Sequence, residues 1–510
     1  MNFLSRTSYR ATTRWLGVGV AGALIVSACS QPSPTTSAPA GAVTPAATQA
    51  AANTVIPAVA AATALASSAT ATPAPGVAVP KPTVAPTTAA AATAAPAPTT
   101  TASSSTYIPS TPEPGTDIPQ VSVQFGMRPY ADNTYFIVGI QNGYFKDVGI
   151  GIQPEPNGLK TTEEQWVSLL LNRQVDVNSA TCSALLPSYR TTDQLKCVGL
   201  AVTFYGQAML ANPKRHLKTL AQIMDEGAPS FDEGLKQTLQ QLDGKQIYVP
   251  SDVPAKYFAE EPFNLAGLPL PNYTTMDDAQ MLLLGKSDRL DVMFPDGAPI
   301  AETMLEAGWT PVYDTGQLLK YGPGGVDSPL EPLVSNNGWA ATADYINGHQ
   351  TTLLRFASVV FRIFATLKSD PSQYGAYAPY LNSVAGTTLD GPGVQRTVEN
   401  LDPFVPFEEQ TKYFDDKSSA EYYQNSFTAL IQSLEKDGTI GGGITADQVI
   451  WAAPMYHDLV QYKTKTDALF DQAQGKQLSA DKQALLDKAH QYYDWYDFLD
   501  AFRCAQAALS

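Results

Sequence analysis

The residues of this chain that could do chemistry are acids, phenols, indoles and amides gathered in short strings. In Arg128-Pro129-Tyr130-Ala131-Asp132-Asn133-Thr134-Tyr135 one guanidinium stands close to a carboxylate, an amide and two phenols. Similar strings are Ser179-Ala180-Thr181-Cys182, Phe204-Tyr205-Gly206, Ser251-Asp252, Phe294-Pro295-Asp296 and Asn336-Asn337-Gly338-Trp339. Arg128 offers a charge-assisted donor to an anion. Helix N-termini at Ser251 and near Thr134 or Thr181 would add free N–H groups of the same preference. Against that, Asp132, Asp252 and Asp296 can accept from a ring N–H or an amino group. Tyr130, Tyr135, Phe204, Tyr205, Phe294 and Trp339 can sandwich a flat ring. Two ligand chemistries therefore stay open, a small anion and an aromatic nitrogen heterocycle. Catalytic sets are missing by comparison. His216, His349, His457 and His490 show no metal-ligand spacing, and there is no Cys-x-x-Cys, G-x-S-x-G elbow or P-loop. The residues read as a binder with no metal and no cofactor, not as an enzyme.

The first 118 of the 510 residues are unsuited to a core. Arg6, Arg10 and Arg14 precede a twelve-residue apolar run, Trp15 to Val26, too short for the ~20 residues that span a bilayer. Val26-Ser27-Ala28-Cys29 follows and matches a bacterial lipobox, with Cys29 as the lipidated residue. Residues 1–29 are thus expected to be a lipoprotein signal peptide. Gly17-Val18-Gly19-Val20-Ala21-Gly22 satisfies G-x-G-x-x-G, but no strand precedes it and it lies in the cleaved segment. Residues 30–118 are almost entirely Ala, Thr, Pro, Ser, Val and Gly, and are expected to form a disordered tether. The whole chain has a formal charge of −16, and its first 118 residues carry a small positive excess. The remaining 392 are therefore strongly acidic, which excludes nucleic acid as a partner and a polybasic membrane patch.

Those 392 residues must position the strings above, and they alternate strand with helix. Val121–Phe125, 149–153, 175–179, 197–204, 246–250, 272–274, 290–294 and 310–313 read as strands, with helical patterns between them. The alternation predicts parallel sheets flanked by helices. One theme occurs twice: Trp166 to Val177 and Ala279 to Val292 each run helix, tight turn, then a strand opening on Val-Asp-Val or Leu-Asp-Val. Two similar lobes with a ligand cleft between them follow, the ligand lying outside the carboxyl ends of the strands. Beyond Ala341 the chain reads as nearly all helix, and Tyr492-Tyr-Asp-Trp-Tyr-Asp-Phe498 as the packing face of the last one.

At this point the chain resembles a family. Asn142-Gly-Tyr-Phe-Lys-Asp-Val-Gly-Ile150 is similar to the G-x-F-K-x-x-G-I-x-V opening of bacterial ABC-transporter solute-binding proteins of the nitrate, sulfonate, taurine and thiamine-precursor type. Both helix–turn–strand units, Leu242-Asp-Gly-Lys-Gln-Ile-Tyr-Val-Pro-Ser251 and the long helix after Trp339 recur in the same order, over roughly Val121 to Asp370. The first unit departs from the family in carrying Arg173-Gln174 where glycine is usual. The resemblance implies an α/β, two-lobed type II periplasmic-binding-protein fold with a helical C-terminal extension. It divides the chain into lobe 1 (119–204), lobe 2 (205–314), a return to lobe 1 (315–400) and a helical extension (401–510). Lobe connections are expected near Thr203–Gly206 and Asp314–Gly316. It further implies that Arg128, Tyr130, Asp132, Asn133, Tyr135, Thr181, Tyr205, Ser251, Asp252, Phe294, Asp296, Asn337 and Trp339 line the pocket. The implied partners are a small solute, an ABC permease with its ATPase subunits, and the membrane, reached through the lipid on Cys29. A sensory module without a transport partner and an extracytoplasmic enzyme are the other readings. Of the remaining cysteines, Cys182 is expected at the carboxyl end of one strand and Cys197 at the opposite end of the next, which disfavours that pair. Cys197 with Cys504 is the candidate disulfide, stapling the last helix to lobe 1.

Overall fold

The computed structural model describes residues 106–510 except 129, 163–164, 251–252, 324–329, 331–334, 420 and 437. The described residues belong to the second of two units into which the chain separates, 95–510. The expected signal peptide with Cys29 and its glycine string, and the expected tether up to residue 105, lie outside them, as do Ser251 and Asp252.

Eleven strands are seen among the described residues. They are β1 (Val121–Met127), β2 (Ile150–Gln153), β3 (Leu159–Lys160), β4 (Val177–Thr181), β5 (Leu195–Phe204), β6 (Ala208–Ala211), β7 (Ile247–Val249), β8 (Tyr273–Thr275), β9 (Val292–Met293), β10 (Thr310–Asp314) and β11 (Ser335–Thr342). They form two sheets. One has the order β2-β1-β4-β11-β5, with β3 also on β1; the other has the order β10-β6-β9-β7-β8. β1 lies parallel to β2 and β4, and β7 parallel to β8 and β9, each reached through a helical crossover. The sheets are mixed, not wholly parallel as the alternation predicts. β11 runs antiparallel to both β4 and β5, and β6 antiparallel to β9 and β10.

Both halves of the repeated theme form a helix followed by a strand, Trp166–Leu171 into β4 and Asp278–Lys286 into β9. Their tight turns have the same backbone solution: Arg173 at φ +56° and Asp288 at φ +57° both occupy the left-handed region. That region favours glycine, so each turn holds a side chain at a cost. β11 fits between its neighbours through a different device. A Cβ on Gly338 would lie 1.8 Å from the Gly199 carbonyl oxygen, and one on Gly199 would lie 2.0 Å from the Trp339 ring. Only glycine allows β5 and β11 to approach with the indole laid across them.

The chain leaves β5 for lobe 2 through residues 205–207 and returns in β11. The return falls later than Asp314–Gly316. Helix Thr315–Tyr321 stays with lobe 2, whose core includes Leu318 and Leu330. Residues 401–510 are largely helical, as expected, and they pack onto lobe 1. Val405, Phe407, Phe427, Val449, Trp451, Leu459 and Phe498 share one apolar core with β1, β4, β5 and helix Gln350–Ser369. Residues 106–118, expected within the tether, are clamped onto this body. The Tyr107 hydroxyl and the Ser110 N–H both donate to Asp458, at 2.7 and 2.9 Å, and Glu113 pairs with Arg355 at 3.1 Å. The aromatic string packs as expected, with Tyr492 and Phe498 buried. Among the described residues no helix is long and apolar enough to cross a membrane.

The disulfide expectation is overturned. Cys182 and Cys197 are bonded, with Cα atoms 5.5 Å apart, and Cys504 is a buried free thiol pushed up to about 11 by burial. Placing Cys197 at the far end assumes straight, regular strands. Instead the β5–β11 pairing shifts register twice, and the chain turns at Cys182 directly into the 3-10 helix Cys182–Arg190. Register shifts of this kind bend a strand. Closing a loop of this length, 15 residues, is worth about 3 kcal/mol in the chain-entropy account. Reduction, or the Cys182→Ser/Cys197→Ser double variant, is therefore expected to lower stability by about 3 kcal/mol. An unchanged melting temperature with and without dithiothreitol would refute the bond's contribution.

Candidate functional site

The junction between the lobes is built from the carboxyl ends of β1 and β4 in lobe 1, the segment after β9 in lobe 2, and the seam where β5 crosses between them. β1 ends in Arg128, whose N–H donates to Ser179 Oγ at 2.9 Å and whose Nη1 donates to Thr181 Oγ1 at 2.7 Å. The guanidinium lies 5.0 Å from the Tyr130 ring centre and 5.7 Å from that of Trp166, so its charge sits between two π faces. The chain then makes the helical turn Ala131–Thr134, which is buried throughout. Tyr377 pins it by donating to the Ala131 carbonyl at 2.9 Å, with its hydroxyl also 2.6 Å from Thr134 Oγ1. That turn carries Asp132, whose carboxylate accepts from Asn337 Nδ2 at the start of β11.

Lobe 2 contributes Asp296 and Gly297. Their N–H groups donate to the two Asp278 carboxylate oxygens, at 3.2 and 2.9 Å, which fixes this loop at the head of helix Asp278–Lys286. Tyr130 reaches across the cleft here: its Cδ1 lies 3.6 Å from where a Cβ on Gly297 would stand. The seam is bordered by a segment absent from the sequence-based site. Residues Leu401–Val405 run along β5, accepting from Tyr205 N–H at 2.7 Å and Thr203 N–H at 3.1 Å and donating to Ala201 at 2.8 Å. This places Asp402, fully buried, within electrostatic reach of both Asp132 and Asp296. Burial first, and the charges of Asp132 and Asp296 after it, push its carboxyl well above the usual carboxylate range.

The polar groups at this junction are short of protein partners. Asn133 and Asn336 are buried with neither amide atom bonded, and Asn337 Oδ1 is in the same condition. Buried polar atoms without partners are rare and costly, and each calls for an explanation such as a bound group.

The sequence-predicted residues divide. Arg128, Tyr130, Asp132, Asn133, Thr181, Asn337 and Asp296 come together around the junction. Tyr135, Phe294 and Trp339 are instead core residues. Tyr135 packs between Phe136, Phe364 and Phe404 at centroid distances of 4.2, 5.1 and 5.5 Å. Phe294 belongs to the lobe 2 core, and Trp339 lies against Phe356 and Phe136 in lobe 1. Tyr205 is at the seam, its hydroxyl donating to Glu421 at 3.3 Å. Ser251 and Asp252 are outside the described residues. Asp402 and Asn336 are the additions. Nothing in Leu401-Asp-Pro-Phe404 distinguishes Asp402 from an ordinary turn aspartate before proline. Among the described residues no group of His, Cys, Asp and Glu could hold a metal ion.

Two α/β lobes, joined by crossing segments and facing each other over buried polar groups, define the architecture. Each lobe is an α/β layer around its own mixed sheet, one of six strands and one of five. No family model matches the sequence, and no curated protein matches it. Solved structures do. The periplasmic aliphatic sulphonate binding protein SsuA from Escherichia coli is 12% identical, with 66% of this chain and 99% of that one covered and a TM-score of 0.46. The periplasmic nitrate-binding protein NrtA from Synechocystis PCC 6803 is 14% identical, with 68% and 90% covered and a TM-score of 0.47. The desulfurization enzyme DSZB is 11% identical, with 67% and 100% covered and a TM-score of 0.42. Binding proteins and an enzyme thus stand side by side at the same level of likeness, and the functional reading rests on the cleft itself.

Proposed function

We propose that the chain is an extracytoplasmic solute-binding protein, moored by a lipid on Cys29, that captures a small molecule between its lobes and delivers it to an ABC permease. The observation that carries this reading is the set of buried polar atoms left without a hydrogen bond where the lobes meet: both amide atoms of Asn133 and of Asn336, and Asn337 Oδ1. In a protein with no task at this seam they would be a net cost. A solute that satisfies them stabilises the state in which the lobes are together and shifts the open–closed equilibrium toward it. The closed form then docks on the permease, whose ATPase subunits supply the energy. In this reading the solute leaves unchanged.

The test is a thermal-shift screen of small solutes on the full chain. A solute at 100 times its Kd is expected to add ~2.7 kcal/mol, read as a rise of a few degrees in melting temperature. Mass spectrometry of the bound compound is expected to return it intact. Chemical conversion of that compound would replace the receptor with an enzyme. Binding that leaves the ATPase rate of the co-reconstituted permease unchanged would favour a sensory module.

A further inference from the structure

Resting on the receptor reading above, we infer that Arg396 is a positioning residue for solute capture: from behind the junction it ties the lobe 2 wall to the lobe 1 wall, and so sets how readily the lobes stand together. Helix Ala298–Glu306 of lobe 2 begins directly after Asp296 and Gly297, the loop at the junction. It presents Glu302 and Glu306, four residues apart and therefore on one face. Arg396 Nε donates to Glu302 Oε1 at 2.8 Å, and its Nη2 donates to Glu306 Oε1. Arg396 belongs to helix Gly391–Asn400, whose Val394 and Val398 lie in the lobe 1 core. Leu401, which follows directly, lies instead in the lobe 2 cluster with Phe204, Ala298 and Ile300. This helix therefore has a foot in each lobe.

Its lobe 1 foot leads back to the other wall. Gly391 approaches helix Gln373–Ala385 so closely that a Cβ on it would lie 3.0 Å from the Gly375 Cα. That second helix carries Tyr377, which donates to the Ala131 carbonyl at 2.9 Å and pins the turn bearing Asp132 and Asn133. A run of direct contacts thus joins the loop at Asp296 to the turn at Asp132, and Arg396 is the step that crosses between lobes by charge. The step is more than a loose surface pair. The Glu302 side chain is only 8% exposed, so it depends on Arg396 for the hydration it has lost. On the other arm of the fork, a Cβ on Gly393 would stand 3.2 Å from Glu306 Oε1, which puts that carboxylate against the helix backbone. A solute that bridges the walls binds with an apparent affinity scaled by the fraction of molecules whose lobes are together. Arg396 raises that fraction without touching the solute.

The test needs no solute. Spin labels are placed at Lys236 of lobe 2 and Lys368 of lobe 1, both exposed, and the distance between them is measured by double electron–electron resonance on the full chain. Arg396→Gln removes the charge from a side chain that is 45% exposed, and is expected to fold as the wild type does. In it the ratio of separated to joined lobes is expected to rise about fivefold, the upper end for a partly exposed ion pair. Arg396→Lys, which keeps the charge, is expected to hold most of the wild-type distribution. Glu306→Gln, which removes one arm of the fork, is expected to shift it less than Arg396→Gln and in the same direction. Raising the salt to about 1 M is expected to move the wild type toward the Arg396→Gln distribution and to leave that variant where it is, because only the wild type has the pair to screen. A residue that merely supports the fold would lower the melting temperature and show neither response. Identical distributions for wild type and Arg396→Gln overturn the inference and leave the receptor reading to the solute screen. Equal shifts in Arg396→Lys and Arg396→Gln overturn the role of the charge.

Discussion

Asp500→Ala is expected to destabilise the protein by about 3 kcal/mol, the cost of removing the fully buried carboxylate of a buried ion pair, with the half-buried Glu113 left as the remaining counter-ion of Arg355. Arg355, in the middle of helix Gln350–Ser369, donates Nε to Asp500 Oδ2 at 2.7 Å and Nη2 to Oδ1 at 3.1 Å, and both side chains are 1% exposed. Arg503 adds a further bond to the same carboxylate. Burial works against the charged form of Asp500, but the bonds and charge of Arg355 outweigh it and hold the carboxyl below its ordinary range. Its neighbour Asp497 goes the other way: burial and then the charge of Asp500 raise it well above. Two carboxyls on one helix entry thus take opposite states, which makes the prediction a contrast. Asp497→Asn, exchanging a mostly protonated acid for an amide, should cost no more than about 1 kcal/mol. Equilibrium denaturation of the three proteins in urea decides it. Equal midpoints for Asp500→Ala and wild type would mean that Arg355 finds a new partner or reaches water.

Trp339→Ala is expected to cost about 3–5 kcal/mol, as for other buried tryptophans reduced to alanine. The indole is 1% exposed, covers Gly199 and lies 5.7 Å from Phe356 and 6.4 Å from Phe136. Its Nε1 has no hydrogen-bond partner, so Trp339→Phe forfeits volume but no bond and should cost clearly less. Calorimetric titration of Trp339→Phe with a bound solute is expected to return the wild-type affinity. A normal melting temperature combined with lost binding would return Trp339 to the pocket.

Trp339 also shows what the sequence makes legible and what it hides. Strands such as Val121–Met127 and Leu195–Phe204 announce themselves by β-branched and aromatic residues, and the doubled helix–turn–strand theme announces two lobes. β11 does not. Ser335-Asn-Asn-Gly-Trp-Ala-Ala-Thr342 contains none of the alternating aliphatic residues by which a strand is recognised. It is a strand because Gly338 and Gly199 let two backbones meet, a fact about pairs of residues 139 apart. Without that strand Trp339 reads as a loop aromatic facing a ligand. Alternation along β11, bulges included, turns it into the core instead. The same limit applies to Asp402 and to the Cys182–Cys197 bond: both depend on how β5 bends and what lies along its edge. That Arg128, Asp132 and Asp296 follow strands at their carboxyl ends is legible in the sequence, since this needs only the order of elements.

The arm from Thr106 to Glu113 carries one further consequence. Its bonds to Asn347, Asp458, Thr351 and Arg355 fall on lobe 1 and the helices that share its core. A load arriving at this arm from the upstream chain is therefore borne by lobe 1 through these bonds.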